Sequence, residues 1–347
     1  MMQSFPKYSV GLLLVNLDQC PPWTKVIRDI CESTHDRLYI FFSRDCASSN
    51  SAPDQGVFKV LNQCYNATSG AAPCLDVVPL FPSAGWTLEH VSKIEEIEVL
   101  FATVDPDDHA TVYCDGPSGI CDSIVKTLWP CATKETSSGM LCDAINDLRE
   151  KGPLPVVEVL AEHEIAESHE EEIVEQGRDA LQPPCTKFFK HAAVGGTFDR
   201  LHAGHRLLLS AAALVTDGTL YVGIAGDELL AKKSNKDLMQ NFKEREQEAT
   251  AFLQRVRPSL TISIRPLLDA SPPLASHMPE MEALIISKET LKGGEAIQSH
   301  RSSLGLQPIT LVIVDVVGSA AQIAAGDKLS SSDLRQKDAS RVTLQQI

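Results

Sequence analysis

The chain has 347 residues, 43% of them hydrophobic and 22% charged, with a net charge of −15. That is long enough for more than one buried core, and too acidic as a whole to favour DNA, RNA or an anionic membrane. The charge is unevenly spread: residues 1–185 hold 12 Lys+Arg against 29 Asp+Glu (net −17), whereas residues 186–347 hold 19 against 17 (net +2).

All ten cysteines, from Cys20 to Cys185, lie in the acidic part. They show no C-x-x-C pair, which fits free thiols in a reducing compartment better than disulfides or a zinc knuckle. Both shifts place a boundary near Pro183-Pro184, dividing an acidic domain (1–160), an acidic, proline-containing linker (161–185) and a second domain (186–347).

In chain order, residues 8–17 read as a buried strand. Their apolar run VGLLLVNL is too short to span a membrane and lacks the charged leader and cleavage site of a secretory peptide. A helix is expected over 22–34 and a strand over 37–43, followed by a Ser-, Ala- and Pro-rich loop near 46–56. Asn66-Ala67-Thr68 matches a glycosylation sequon, which carries no weight without a signal peptide. VVEVL (156–160) is a further strand, and the segment 161–177 an exposed acidic helix or linker. His163-Glu164 and His169 are spaced H-E-x-x-x-x-H, not the H-E-x-x-H that puts two rings on one helix face for zinc. The first domain is therefore an α/β domain of unassigned role.

The second domain alternates strands (187–194, 219–225, 260–265, 282–287, 309–316) with helical patterns, notably 203–215 and 242–256. Alternation of this kind predicts a doubly wound parallel sheet covered on both faces, with ligands bound beyond the strand C-termini. Where its first strand meets its first helix the sequence is AAVGGTFDRLHAGH (192–205). Gly195 and Gly196 let a phosphate approach the backbone, and the helix start adds free N–H groups and a positive dipole end. His202 and His205, three apart in a first helical turn, can meet one oxyanion. Two later clusters bear on the same place: Lys232-Lys233 with Glu244-Arg245, and KLSSSDLR (328–335).

GTFDRLHAGH resembles the G-T-F-D-x-x-H-x-G-H signature of the nucleotidyltransferase superfamily, and KLSSSDLR its closing serine–arginine motif, with Leu329 at the usual isoleucine position. RPSLTISIRPLLD (257–269) and IISKETLKGGEAI (285–297) narrow the resemblance, over about 150 residues, to the phosphopantetheine adenylyltransferase domain of animal coenzyme A synthase. The fold implied is Rossmann-like. The reaction implied joins ATP to phosphopantetheine, giving dephospho-coenzyme A and pyrophosphate, with Mg2+ accompanying the ATP. A dephospho-coenzyme A kinase would need a G-x-x-x-x-G-K-[ST] loop, and the sequence has no Gly-Lys pair, so the expected product is dephospho-coenzyme A. The resemblance also suggests mitochondrial association, while the free thiols fit a cytoplasmic protein and the acidic N-terminal half is a candidate binding module for a protein partner.

Carried residue by residue, the resemblance makes His202, His205 and Lys233 the catalytic candidates. Thr197 would bind phosphate at the turn formed by Gly195 and Gly196, with Phe198 and Gly204 in the same loop and Asp199 fixing it. Lys232 is the alternative to Lys233 for the acceptor phosphate. Arg245 is counted among the substrate-binding residues, and Ser330, Ser331, Ser332 and Arg335 would hold the triphosphate tail. Three rivals remain: a cytidylyltransferase of another phosphorylated acceptor, an aminoacyl-tRNA synthetase (which lacks support without a K-M-S-K-S loop), and a non-catalytic scaffold.

Overall fold

Short runs rich in leucine and β-branched residues, separated by helical patterns too long to be hairpin turns, leave parallel pairing as the way to satisfy the strand backbones. The computed structural model describes residues 7–16, 23–43, 53, 55–72, 75–104, 154, 156–160, 188–231, 236–268, 271–318, 331 and 334–336. Two units emerge: Met1–Ser51 with Gly70–Leu181, and Ala52–Ser69 with Gln182–Ile347. Among the described residues no helix is long and apolar enough to cross a membrane.

The first unit contains strands β1 (Tyr8–Asn16), β2 (Thr34–Ser43), β3 (Asp76–Leu80), β4 (Val99–Val104) and β5 (Val156–Leu160). They form one sheet in the order β3-β2-β1-β4-β5, parallel throughout. Helix α1 (Trp23–Ser33) links β1 to β2, α2 (Gln55–Ala71) links β2 to β3, and the short α3 (Leu88–Ser92) precedes β4. Strands β1, β2 and β5 and helix α1 lie where the sequence put them. Neither β3, which is short and interrupted by Pro79, nor α2 was expected from the sequence. The acidic segment 161–177 lies outside the described residues.

Residues 52–69, which carry most of α2, belong to the second unit. Buried Tyr65 shares a 3.0 Å hydrogen bond with Ser210, while Asn66 Oδ1 accepts from the Gly318 N–H at 2.6 Å and Asn62 Nδ2 donates to Asp315 at 3.2 Å. Tyr65→Phe should therefore lower the stability of this unit by about 1 kcal/mol, the net value of one buried hydrogen bond. Denaturant unfolding followed by a probe in residues 188–318 checks this, and an unchanged midpoint would contradict it.

In the second unit, β6 (Phe189–Gly196), β7 (Thr216–Ala225), β8 (Thr261–Leu267), β9 (Ala283–Ser287) and β10 (Thr310–Val314) make a parallel sheet ordered β10-β9-β6-β7-β8. The described helices include α4 (Ala203–Val215), α5 (Asp227–Leu230), α6 (Phe242–Val256), α7 (Leu274–His277) and α8 (Leu291–Ser303). Helices α4 and α6 match the expected bounds 203–215 and 242–256, and α6 opens on a full capping box between Asn241 and Glu244.

The sequence order reverses at β6, whose neighbours are β7 and β9, so the C-terminal ends of β6 and β9 define a topological switch point. Alternation along the strands splits the core. Ala192, Val194, Ala283 and Ile285 point one way, whereas Ala193, Leu284 and Ile286 join a cluster with Leu274 and Ala275 of α7 and Leu291 and Ile297 of α8. Arg301, fully buried in α8, fixes α7 by donating to the carbonyls of Ala275 (2.9 Å) and Met278 (2.7 Å).

Candidate active site

The strand-to-helix junction after β6 is built around backbone that most side chains avoid. Phe198 (φ 51) and Arg200 (φ 46) are both left-handed, a conformation that tertiary contacts must hold. Fully buried Phe198 turns back over Gly196, where a Cβ would lie 2.9 Å from its ring. Glycine is thus required at 196 by the phenylalanine that follows it.

Asp199, also fully buried, ties the loop to two other segments. Its Oδ1 accepts from the Gln240 N–H at 3.0 Å, and its Oδ2 pairs with buried Arg335. Its carbonyl accepts from Ser331 Oγ at 2.8 Å, and Gln240 in turn accepts from the Arg200 N–H at 2.5 Å. The glycine turn and the serine–arginine motif, 136 residues apart, therefore meet at Asp199.

His202 caps α4: its Nδ1 accepts from the Gly204 N–H at 3.2 Å, which leaves Nε2 as the ring donor. Its ring stacks on that of His205, with centroids 4.0 Å apart and planes at 26°, and Phe198 meets His205 edge-on at 5.3 Å. His205 Nδ1 is enclosed and has no hydrogen-bond partner among the described residues. Desolvation, reinforced by His202 and Arg206, holds its imidazole well below the usual histidine value, so the ring is neutral near pH 7.

Arg245 is completely buried. It donates to the carbonyls of Thr197 (2.9 Å), Ala225 (2.8 Å) and Gln240 (3.1 Å), joining the ends of β6 and β7 to the start of α6. Arg335 is likewise enclosed, against Asp199. Both arginines, read from sequence as ligands of substrate, hold the loops in this structure. Lys232, Lys233, Ser330 and Ser332 lie outside the described residues.

Beside the loop, on the sheet face toward α7 and α8, lies a cavity of about 860 Å³. Gly195, Gly196 and Thr197 form its edge, with Ala193, Tyr221, Gly223, Arg265, Leu267, His277 and His300 among its walls. It exists because β6 and β7 present Ala193, Gly195 and Gly223 to this face. At Gly223 a Cβ would fall 2.7 Å from Leu267. Sequence reading missed the cavity: its walls come from seven separated elements, β6 to β9 and α5, α7 and α8. The one local sign was Arg265, a cation inside an apolar strand, and it is exposed.

Residues 193–337 match the family model described as Cytidylyltransferase-like. The chain is 34% identical over 154 residues to the phosphopantetheine adenylyltransferase of Saccharomyces cerevisiae, an alignment covering 44% of this chain and 50% of the relative. Thus the chain spans about half the length of this curated relative. It is 32% identical to the phosphopantetheine adenylyltransferases of Pyrococcus furiosus and Pyrococcus abyssi, covering 43% and 42% of this chain and 89% of each relative. With the fold, the glycine turn, the stacked histidine pair and these relatives taken together, the chain belongs through its C-terminal unit to the phosphopantetheine adenylyltransferase family of cytidylyltransferase-like nucleotidyltransferases.

Proposed function

We propose that the protein transfers the adenylyl group of ATP to phosphopantetheine, forming dephospho-coenzyme A and releasing pyrophosphate. A phosphate oxygen of the acceptor attacks the α-phosphorus in line; the new P–O bond forms as the bond to the β-phosphate oxygen breaks and pyrophosphate leaves. No covalent enzyme intermediate is needed, so positioning and charge stabilisation carry the rate. The observation that carries this assignment is a largely apolar cavity opening at a glycine turn beside two stacked histidines. Its apolar walls suit a pantetheine arm, and the turn suits the phosphate at that arm's end.

In this scheme Thr197 and the turn bind phosphate, and neutral His205 with His202 donates to the oxygens of the α-phosphoryl group. Lys233, or Lys232, neutralises the acceptor phosphate. Ser330, Ser331 and Ser332 receive the triphosphate tail, while Arg335 acts through Asp199. No group of three or more His, Cys, Asp or Glu able to hold a metal occurs among the described residues. Mg2+ is assigned to the substrate, arriving on the triphosphate. The family-specific segments RPLLD and SKETLKGG support a coenzyme A synthase-type domain. A cytoplasmic, mitochondria-associated location and a protein partner for the acidic N-terminal unit complete the proposal.

Pyrophosphate release with Mg2+ tests the assignment, with ATP and CTP compared in the presence and absence of phosphopantetheine. Release that requires ATP and phosphopantetheine together is the expected result. Preference for CTP would move the protein to the cytidylyltransferases, and no release from folded, ATP-binding protein would leave the scaffold reading.

A further inference from the structure

The two sheets share more than a fold class. Read from the third strand, both run 3-2-1-4-5, with every strand parallel. The registers coincide as well. Tyr8 pairs Thr34 and Val10 pairs Arg37, so the ladder slips by one residue; Phe189 pairs Thr216 and His191 pairs Thr219, with the same slip at the same place. After it, Gly11 pairs Leu38 on one side and Val99 on the other, as Ala192 pairs Leu220 and Ala283.

The entry to the fourth strand is also repeated. The Glu98 N–H donates to the Val10 carbonyl at 3.0 Å, and its carboxylate accepts from the Ser9 N–H at 2.8 Å. At the matching position the Glu282 N–H donates to the His191 carbonyl at 2.9 Å, and its carboxylate accepts from the Lys190 N–H. Even Thr34…Leu38-Tyr39-Ile40 answers Thr216…Leu220-Tyr221-Val222. A strand order alone is common; an identical irregularity and an identical side-chain clamp are position-specific features of one design.

This equivalence shows what the first unit has in place of the cavity. On the matching face of the sheet, Ala193, Gly195, Gly223 and Arg265 correspond to Leu12, Leu14, Phe41 and Leu80, all at most 3% exposed. Tyr221 lines the cavity, whereas the equivalent Tyr39 is buried and its hydroxyl is bound to Glu96. Burial and that carboxylate push the Tyr39 phenol up to about 12. Interiors pack to near-crystalline density, so four side chains of this size occupy the volume that glycine and alanine leave open. No histidine stands between Asn16 and Ser33 to replace the pair at 202 and 205.

We propose that the N-terminal unit is a second, degenerate copy of the nucleotidyltransferase fold, its ligand cavity filled by Leu12, Leu14, Phe41 and Leu80, so that it holds no nucleotide.

Two measurements on the full chain test this. The first is photolabelling with an azido-ATP in the presence of Mg2+, followed by peptide mapping; it rests on the adenylyl-transfer assignment. Label confined to peptides from residues 188–318, at one per chain, is expected; label on peptides from 7–104 would overturn the proposal. Absence of label from both units would overturn the adenylyl-transfer assignment and agree with an empty first unit. The second is a crystal structure, independent of any ligand. A β1–β4 ladder that starts elsewhere than Gly11–Val99, or an open cavity over Leu14 and Phe41, would sink the duplication.

Discussion

His205→Ala is expected to lower turnover about 10²- to 10³-fold, the usual cost of removing one preorganised donor to a developing oxyanion, while leaving the unit folded. The ring is held between Phe198 and His202, and its Nδ1 has no partner, so truncation breaks no hydrogen bond of the described fold. Steady-state pyrophosphate release and the thermal midpoint, measured together, separate chemistry from folding; near-normal turnover would remove the histidine from the mechanism.

The pH dependence follows with a definite sign. Burial first, then His202 and Arg206, depress the His205 pKa, so the folded protein resists a proton that the unfolded chain accepts near the ordinary value of about 6.5. Stability of the unit should therefore be unaffected above that value and fall as the pH drops below it, down through the depressed folded value. His205→Ala should flatten that decline. In the free enzyme kcat/KM should likewise persist through pH 6.5 instead of halving there, because the neutral ring is the competent form.

Local chemistry was legible in the sequence wherever a single segment carries it. The glycine turn, the histidine spacing and the 13 residues of α4 follow from GTFDRLHAGH and the apolar run behind it. What stayed hidden depends on residues far apart in the chain. Arg245 and Arg335 look like ligands for phosphate when read alone, because a cation near an anion site is a sound expectation. Their partners, the carbonyls of Thr197 and Ala225 and the carboxylate of Asp199, become visible only once β6, β7 and the closing motif converge. Apart from Arg265 the cavity has no local signature, because it consists of missing side chains at Gly195 and Gly223. The kinship of the two units escaped for a related reason: replacement of small residues by leucine and phenylalanine erased the resemblance where function would have kept it.

Asp199→Ala should be the most destabilising single change in the second unit, at about 3–5 kcal/mol, the cost of leaving a buried charge without its partner. Arg335 is 1% exposed in its pair with Asp199 and would lose that carboxylate without gaining water. The same substitution frees the Gln240 N–H and releases a loop whose neighbours Phe198 and Arg200 already sit in left-handed backbone. Arg335→Met should cost less, because Asp199 would keep Gln240 and Arg200 as donors. The double variant should recover part of the loss from Asp199→Ala, since methionine tolerates the buried surroundings better than a guanidinium deprived of that carboxylate. Denaturant unfolding of the four proteins gives the coupling directly. Activity should be low in all three variants, because each removes the Asp199–Arg335 pair and leaves Ser331 on the backbone carbonyl of residue 199 as the remaining described tie between the serine–arginine segment and the glycine turn. A single Asp199→Ala variant within 1 kcal/mol of the parent would mean that the pair does not hold the two motifs together.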